Sequence, residues 1–213
     1  FNSREAGSNR PRLVVTYRLP TTPTPTRRPG TRTYLPIVMK QFVPASSPGL
    51  IFSDDFSSPL TGWSANNGGW NIENNYLKGT YATDNAWYIK NVSGSNFTYE
   101  GDVNILSGNA VGLTFRSSAN GTASYDAILD AVDGVFKISK RPGYIVLASY
   151  PWSVSRNRWY HVKVVVNGTQ IEGYLDGVKR LTTTDNNFAS GRFGVMLYRA
   201  TAAYDNLEAR ALP

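Results

Sequence analysis

Residues 159–168 read Trp-Tyr-His-Val-Lys-Val-Val-Val-Asn-Gly. Tyr160, Val162, Val164 and Val166 alternate with His161, Lys163 and Val165, so one face of an extended segment is apolar and the other meets water. A period of two marks a half-buried antiparallel strand, and Asn167-Gly168 is a hairpin turn signal. The same pattern spreads outward along the chain. Phe97, Tyr99, Val103 and Ile105 alternate with Thr98, Glu100, Asp102 and Asn104, while Val111, Leu113 and Phe115 alternate with Gly112, Thr114 and Arg116. Further turn signals stand at Asn67-Gly68-Gly69, Ser107-Gly108-Asn109, Asn120-Gly121, Asp133-Gly134 and Asp176-Gly177. No window shows a capped 3.6-residue period. About a dozen short strands at this spacing predict an all-β fold, a two-sheet antiparallel jelly-roll sandwich over residues 49–213.

The chain has 213 residues and no cysteine, which excludes disulfides, thiolate metal sites and a cysteine nucleophile. That composition suits an exported protein large enough to need no covalent staples. No apolar run reaches the roughly 18 residues of a membrane-spanning helix. The first residue is Phe1, with no charged-then-apolar leader pattern near it, and the expectation is a mature or clipped piece of a longer precursor. The net charge of +7 is unevenly placed. Residues 1–45 hold eight basic side chains against Glu5 alone, and in residues 46–213 the two signs balance. The basic excess lies in a segment with no nucleic-acid-binding module beside it, which argues against a nucleic-acid partner.

That segment divides in two. Residues 1–19 end in Arg12-Leu-Val-Val-Thr-Tyr-Arg18, which reads as the last strand of a preceding β domain or as a donor strand. Residues 20–48 form a cationic Pro/Thr linker that favours extended polyproline geometry, followed by the β-prone run Thr33–Lys40.

The order of several motifs resembles the concanavalin A-like lectin and glucanase sandwiches. They are Asp54-Asp55-Phe56, Gly62-Trp63, Gly112-Leu-Thr-Phe-Arg116, Asp133-Gly134, Trp159–Val164, Tyr174-Leu-Asp-Gly177, Ser190-Gly-Arg-Phe-Gly194 and Asp205-Asn206-Leu207. Closest in pattern are fructan-binding-type carbohydrate-binding modules and laminin-G-like domains. The resemblance implies the sandwich fold and a glycan partner for an extracellular or cell-surface module that binds carbohydrate or mediates adhesion. It also implies a structural calcium between the start and end of the domain, at the positions of Asp54 and Asp205, since oxygen ligands suit that ion.

Catalysis finds little support. The only histidine, His161, reads as a solvated strand residue. Sandwich glycosidases place two carboxylates on one strand in a Glu-x-Asp-x-x-Glu pattern, and here Glu100-Gly101-Asp102 lacks the second glutamate. A binding face is more consistent. If Val103 and Ile105 share a buried face with Val111 and Leu113 in a hairpin, residue 105 pairs with 111 and 103 with 113. Glu100, Asp102 and Arg116 then share the polar face, joined by Asp126 and Asp130. Such side chains hydrogen-bond sugar hydroxyls from several directions. Tyr144 and Trp152, in loops, are candidates to stack on a sugar ring, whereas Trp63, Trp70 and Trp159 read as core.

A second reading concerns assembly. The runs carrying Leu13, Val15 and Tyr17, and Leu35, Ile37 and Val38, are short, apolar and flanked by basic residues. Either suits addition as a strand to an open sheet edge of another copy. Repeated head to tail, that donation builds an extracellular filament.

Overall fold

The computed structural model describes residues 49–213. The strand-donor positions Leu13, Val15, Tyr17, Leu35, Ile37 and Val38 lie outside the described residues. Every regular element among the described residues is a strand: β1 (Leu50–Asp54), β2 (Trp63–Asn66), β3 (Gly69–Glu73), β4 (Tyr76–Gly94), β5 (Phe97–Ser117), β6 (Ser124–Asp130), β7 (Val135–Arg141), β8 (Ile145–Pro151), β9 (Trp159–Asn167), β10 (Gln170–Leu175), β11 (Val178–Thr184) and β12 (Gly191–Ala211).

Three strands are far longer than the rest, and they organise the molecule. The first half of β5 pairs with β9 and with the end of β12, whereas its second half pairs with β6 and with the start of β12. β4 follows β12 through both parts. The first layer thus contains β11, β10, β9 and the first half of β5, continued by the end of β12, β1, the start of β4 and β3. The second contains β8, β7, β6 and the other halves of β5, β12 and β4, ending on β2. The inward side chains of both layers form one core that includes Phe97, Tyr99, Phe115, Phe136, Val162 and Phe193. Phe97 and Phe193 meet across it with ring centroids 4.6 Å apart. Tyr99 donates its hydroxyl to the Gly194 carbonyl at 2.9 Å, a hydrogen bond between layers inside the core.

One expectation about register is overturned. Residues 97–105 and 110–117 do not fold back on each other, and Ser107-Gly108-Asn109 is not a hairpin turn. They are successive halves of β5, which crosses from one layer to the other at Gly108. The register of β12 against β4 and β5 shifts beside this corner, between Tyr198 and Ala200 and between Thr201 and Ala202. Gly108 has φ +88°, and a β-carbon there would stand 2.1 Å from the Arg199 carbonyl oxygen. The glycine that suggested a turn serves instead a corner where two backbones touch.

Candidate functional site

The layer crossing decides which polar residues meet. On the outer face of the second layer, Met196, Gly112 and Ile128 lie side by side on β12, β5 and β6, as do Tyr198, Ala110 and Asp130. The buried Ala110, Ile128 and Met196 form an apolar floor. Around it a cleft of about 340 Å³ is rimmed by Asp84, Asn85, Asn109, Asp130, Asp133, Arg141, Tyr144 and Tyr198.

Arg141, the last residue of β7, is firmly held on this rim. Its Nε donates to Asp126 Oδ2 at 3.0 Å and its Nη2 to Asn85 Oδ1 at 2.9 Å. The guanidinium lies over the Trp87 ring at 5.3 Å and the Tyr144 ring at 5.0 Å. Two of its five N–H donors are thereby engaged, which leaves the fork partly available to a ligand in the cleft. Asp126 itself is fully buried. Burial pushes its carboxyl above the ordinary value, and Arg141, Thr114 and Ser124 oppose that rise. Its Oδ1 accepts the Thr114 hydroxyl at 2.7 Å.

Asp130 is fixed just as firmly. Oδ1 accepts the amides of Val132 and Asp133, both at 3.0 Å, and Oδ2 accepts Lys137 Nζ at 2.9 Å. Burial raises its pKa, but those amides and Lys137 outweigh burial and hold the carboxyl below its usual range. Lys137 also bonds Asp133 Oδ2 at 3.0 Å, and its ammonium stands 5.5 Å from the centre of the Tyr144 ring. Tyr144 is thus approached by two cations. Its φ of 48° is a conformation that a bulky residue adopts only at a cost, and such strain clusters where ligands are held.

The predicted face is split by the layer crossing. Asp130 and Tyr144 line the cleft, and Asp126 anchors Arg141 behind it. Arg116 lies elsewhere: it is buried and donates to the carbonyls of Ser95 and Phe188, tying two loops together. Glu100 and Asp102 stand on the outer face of the first layer, opposite Lys163 and His161. There Lys163 Nζ is 3.1 Å from Glu100 Oε2, and His161 Nδ1 is 2.8 Å from Asp102 Oδ1. The bond to Glu100, with Asp102 adding to it, raises the His161 pKa to about 9 against the opposing effect of burial. Trp152 packs against the core beside Tyr150, with the Arg180 guanidinium 5.1 Å over its ring.

Trp63 is a core residue as expected, stacked on Tyr88 at 5.2 Å. Trp159 corrects the sequence reading: it is 42% exposed. Tyr160 and Val162 take the core face of β9, so their odd-numbered neighbour must point outward. Arg141 and Lys137 were missed, although the alternation of Phe136 and Ile138 with Lys137, Ser139 and Arg141 already set both on one outer face.

The calcium positions differ in character. Asp54 Oδ2 accepts Trp63 Nε1 at 2.7 Å and Lys90 Nζ at 3.2 Å, so a cation already meets this carboxylate. Asp205 accepts the Asn206 amide at 2.8 Å, and burial with Asp102 and Asp55 nearby raises its pKa. Among the described residues, no group of three or more His, Cys, Asp or Glu side chains is placed to hold a metal ion.

A family model described as the 3-keto-alpha-glucoside-1,2-lyase-like domain matches residues 52–210, which take in every residue of the cleft. The chain belongs to this family. The chain is 33% identical over 157 residues to a levanase of Bacillus subtilis, covering 71% of the chain and 23% of the levanase. It thus spans about a quarter of that relative's length. The structure titled carbohydrate binding module CBM66 from Bacillus subtilis is 32% identical, covers 73% of the chain and 99% of its own, and superposes with a TM-score of 0.69. The Bacillus licheniformis β-glucanase, at 10% identity and a TM-score of 0.57 over 78% of this chain and 100% of its own, shares the jelly-roll fold.

Proposed function

We propose that the domain is a non-catalytic, extracellular carbohydrate-binding module and that the sugar occupies the Arg141–Tyr144 cleft. The observation that carries this reading is Arg141, stacked between Trp87 and Tyr144 and anchored by the buried Asp126, with donors left over beside an apolar floor. Sugar rings present both apolar C–H faces and hydroxyl groups. A site of this kind matches them through aromatic contact and a few fixed polar groups. The likeness to a carbohydrate-binding module along nearly all of that module's length supports the same reading.

The carboxylates of the β6 strand support the non-catalytic reading. Glycoside hydrolysis uses one protonated and one ionised carboxyl across the scissile bond. Asp130 is held ionised by two amides and Lys137, and Asp126 is sealed behind Arg141. Neither is free to deliver a proton to a glycosidic oxygen. We propose that a structural calcium would be held by Asp205 with backbone carbonyls, because Asp54 is engaged by Lys90.

Levan is the probe of choice, given the levanase relatives, alongside a glycan array. The wild-type protein is expected to be retarded in a levan-containing native gel. Arg141→Ala and Tyr144→Ala should each lose at least about tenfold in affinity. Undiminished binding in both variants removes the cleft, and release of reducing sugar by the purified protein removes the non-catalytic assignment.

A further inference from the structure

The outer face of the first layer is a different surface from the cleft. Register places Trp159 of β9 beside Asn104 of β5, Asn104 beside Ala203 of β12, and Ala203 beside Lys78 of β4. The adjoining row holds His161, Asp102 and Asp205. Tyr160, Val103, Tyr204 and Leu77 occupy the core side of the same strands, so these residues all stand on the outer side of the sheet.

Two features here are not explained by packing. Trp159 exposes 42% of its surface on a regular strand and meets Tyr76 edge-on, with ring centroids 6.0 Å apart and planes at 72°. The two rings form an L-shaped apolar corner. Beside Trp159, Asn104 is only 5% exposed although it points outward, and its Oδ1 has no hydrogen-bond partner. A buried amide oxygen without a donor bears its full desolvation cost, and it is an unpaired acceptor directly beside Trp159 in the sheet. Asp102, one step along β5, accepts from Asn206 Nδ2 at 2.9 Å and meets His161 Nδ1 at 2.8 Å. Each carboxylate oxygen retains a further lone pair.

We propose that this corner is a second carbohydrate-binding site, for a pyranose ring with equatorial hydroxyls. Such a ring has a flat face of C–H bonds, which stacks on the electron-rich face of the Trp159 indole with the Tyr76 edge as a wall. One hydroxyl donates to Asn104 Oδ1 once a side-chain rotation opens that atom, which is closed to solvent in the free protein. A neighbouring hydroxyl donates to Asp102. The proposal goes beyond the cleft reading and does not depend on it. If both sites are filled, they lie on opposite outer faces, and a polymer reaching both gains avidity without new contacts.

Cellohexaose and xylohexaose are suitable probes, since both expose pyranose rings with equatorial hydroxyls. Titration calorimetry with indole fluorescence should show that wild type binds at least one of them with a change in tryptophan emission. Trp159→Ala is expected to weaken that binding about tenfold or more, Asn104→Ala to weaken it, and Trp159→Tyr, which keeps a stacking ring, to retain most of it. Arg141→Ala, whose cleft is disabled, should bind these probes as wild type does. Binding of neither sugar by wild type overturns the second site, as does unchanged affinity in Trp159→Ala. A loss confined to Arg141→Ala assigns the sugar to the cleft instead. Loss of levan binding in Arg141→Ala tests the cleft separately, so the two readings fail independently.

Discussion

Arg141 and Asp126 show how much one buried pair carries. Asp126 is fully buried, and its Oδ2 lies 3.0 Å from Arg141 Nε. Removing one partner of such a pair leaves the other charge without compensation. Asp126→Ala is therefore expected to destabilise the fold by roughly 3–5 kcal/mol in urea denaturation, and to weaken sugar binding by freeing Arg141. His161 makes a prediction about pH. Its pKa rises from an ordinary 6.5 to about 9, chiefly through Glu100. A raised pKa means that the folded state holds the proton more tightly than the unfolded chain. The stabilisation is fully present below about pH 6.5 and is lost as pH rises through 9. The side chain is 41% exposed, so solvent screening keeps the effect small. Thermal melts between pH 6 and 10 should show wild type losing stability across this window. His161→Gln should lack that decline, and parallel curves would refute the assignment.

At the scale of elements, the corner in β5 is the decisive feature. It converts what looks like a hairpin into one strand of 21 residues that serves both layers. It also carries Glu100 and Asp102 away from Asp126 and Asp130. Gly108 permits the corner through its φ of +88° and its contact with the Arg199 carbonyl. Gly108→Ala adds left-handed strain of about 1–3 kcal/mol and a clash with backbone that cannot rotate away. The expected result is a fall in denaturation midpoint larger than that of Gly177→Ala, where φ is +79° but open space surrounds the new methyl. Equal losses would show that the conformation alone, and not the strand contact, sets the cost. The strands themselves were legible because β9 and the two halves of β5 each keep a period of two. The corner was not, because Ser-Gly-Asn suits a turn and a crossing equally well and only the neighbouring strand distinguishes them.

For the whole molecule, the two ends of the domain meet: β1 pairs with the end of β12, Leu50 opposite Arg210 and Asp54 opposite Leu207. A calcium on Asp205 would tie this seam, and ligand binding to the folded state alone raises the melting temperature. If the ion binds, calcium at millimolar levels should raise that temperature relative to chelator, and Asp205→Asn should abolish the difference. Identical melts remove the proposal. The sequence by itself determined the all-β class, the alternation of faces along each strand and the inward tyrosines and phenylalanines, because a period of two is a local property of an extended chain. It also singled out Asp130 and Tyr144 of the cleft and Glu100 and Asp102 of the opposite face, but not Arg141. Only the tertiary structure decided which of them share a surface. Partnership across a sheet depends on strand order and on where long strands change layer, and neither is written in the residues of one strand. Hence Arg116, beside the expected site in sequence, ties two loops together, while Arg141 stands between two aromatic rings at the mouth of the cleft.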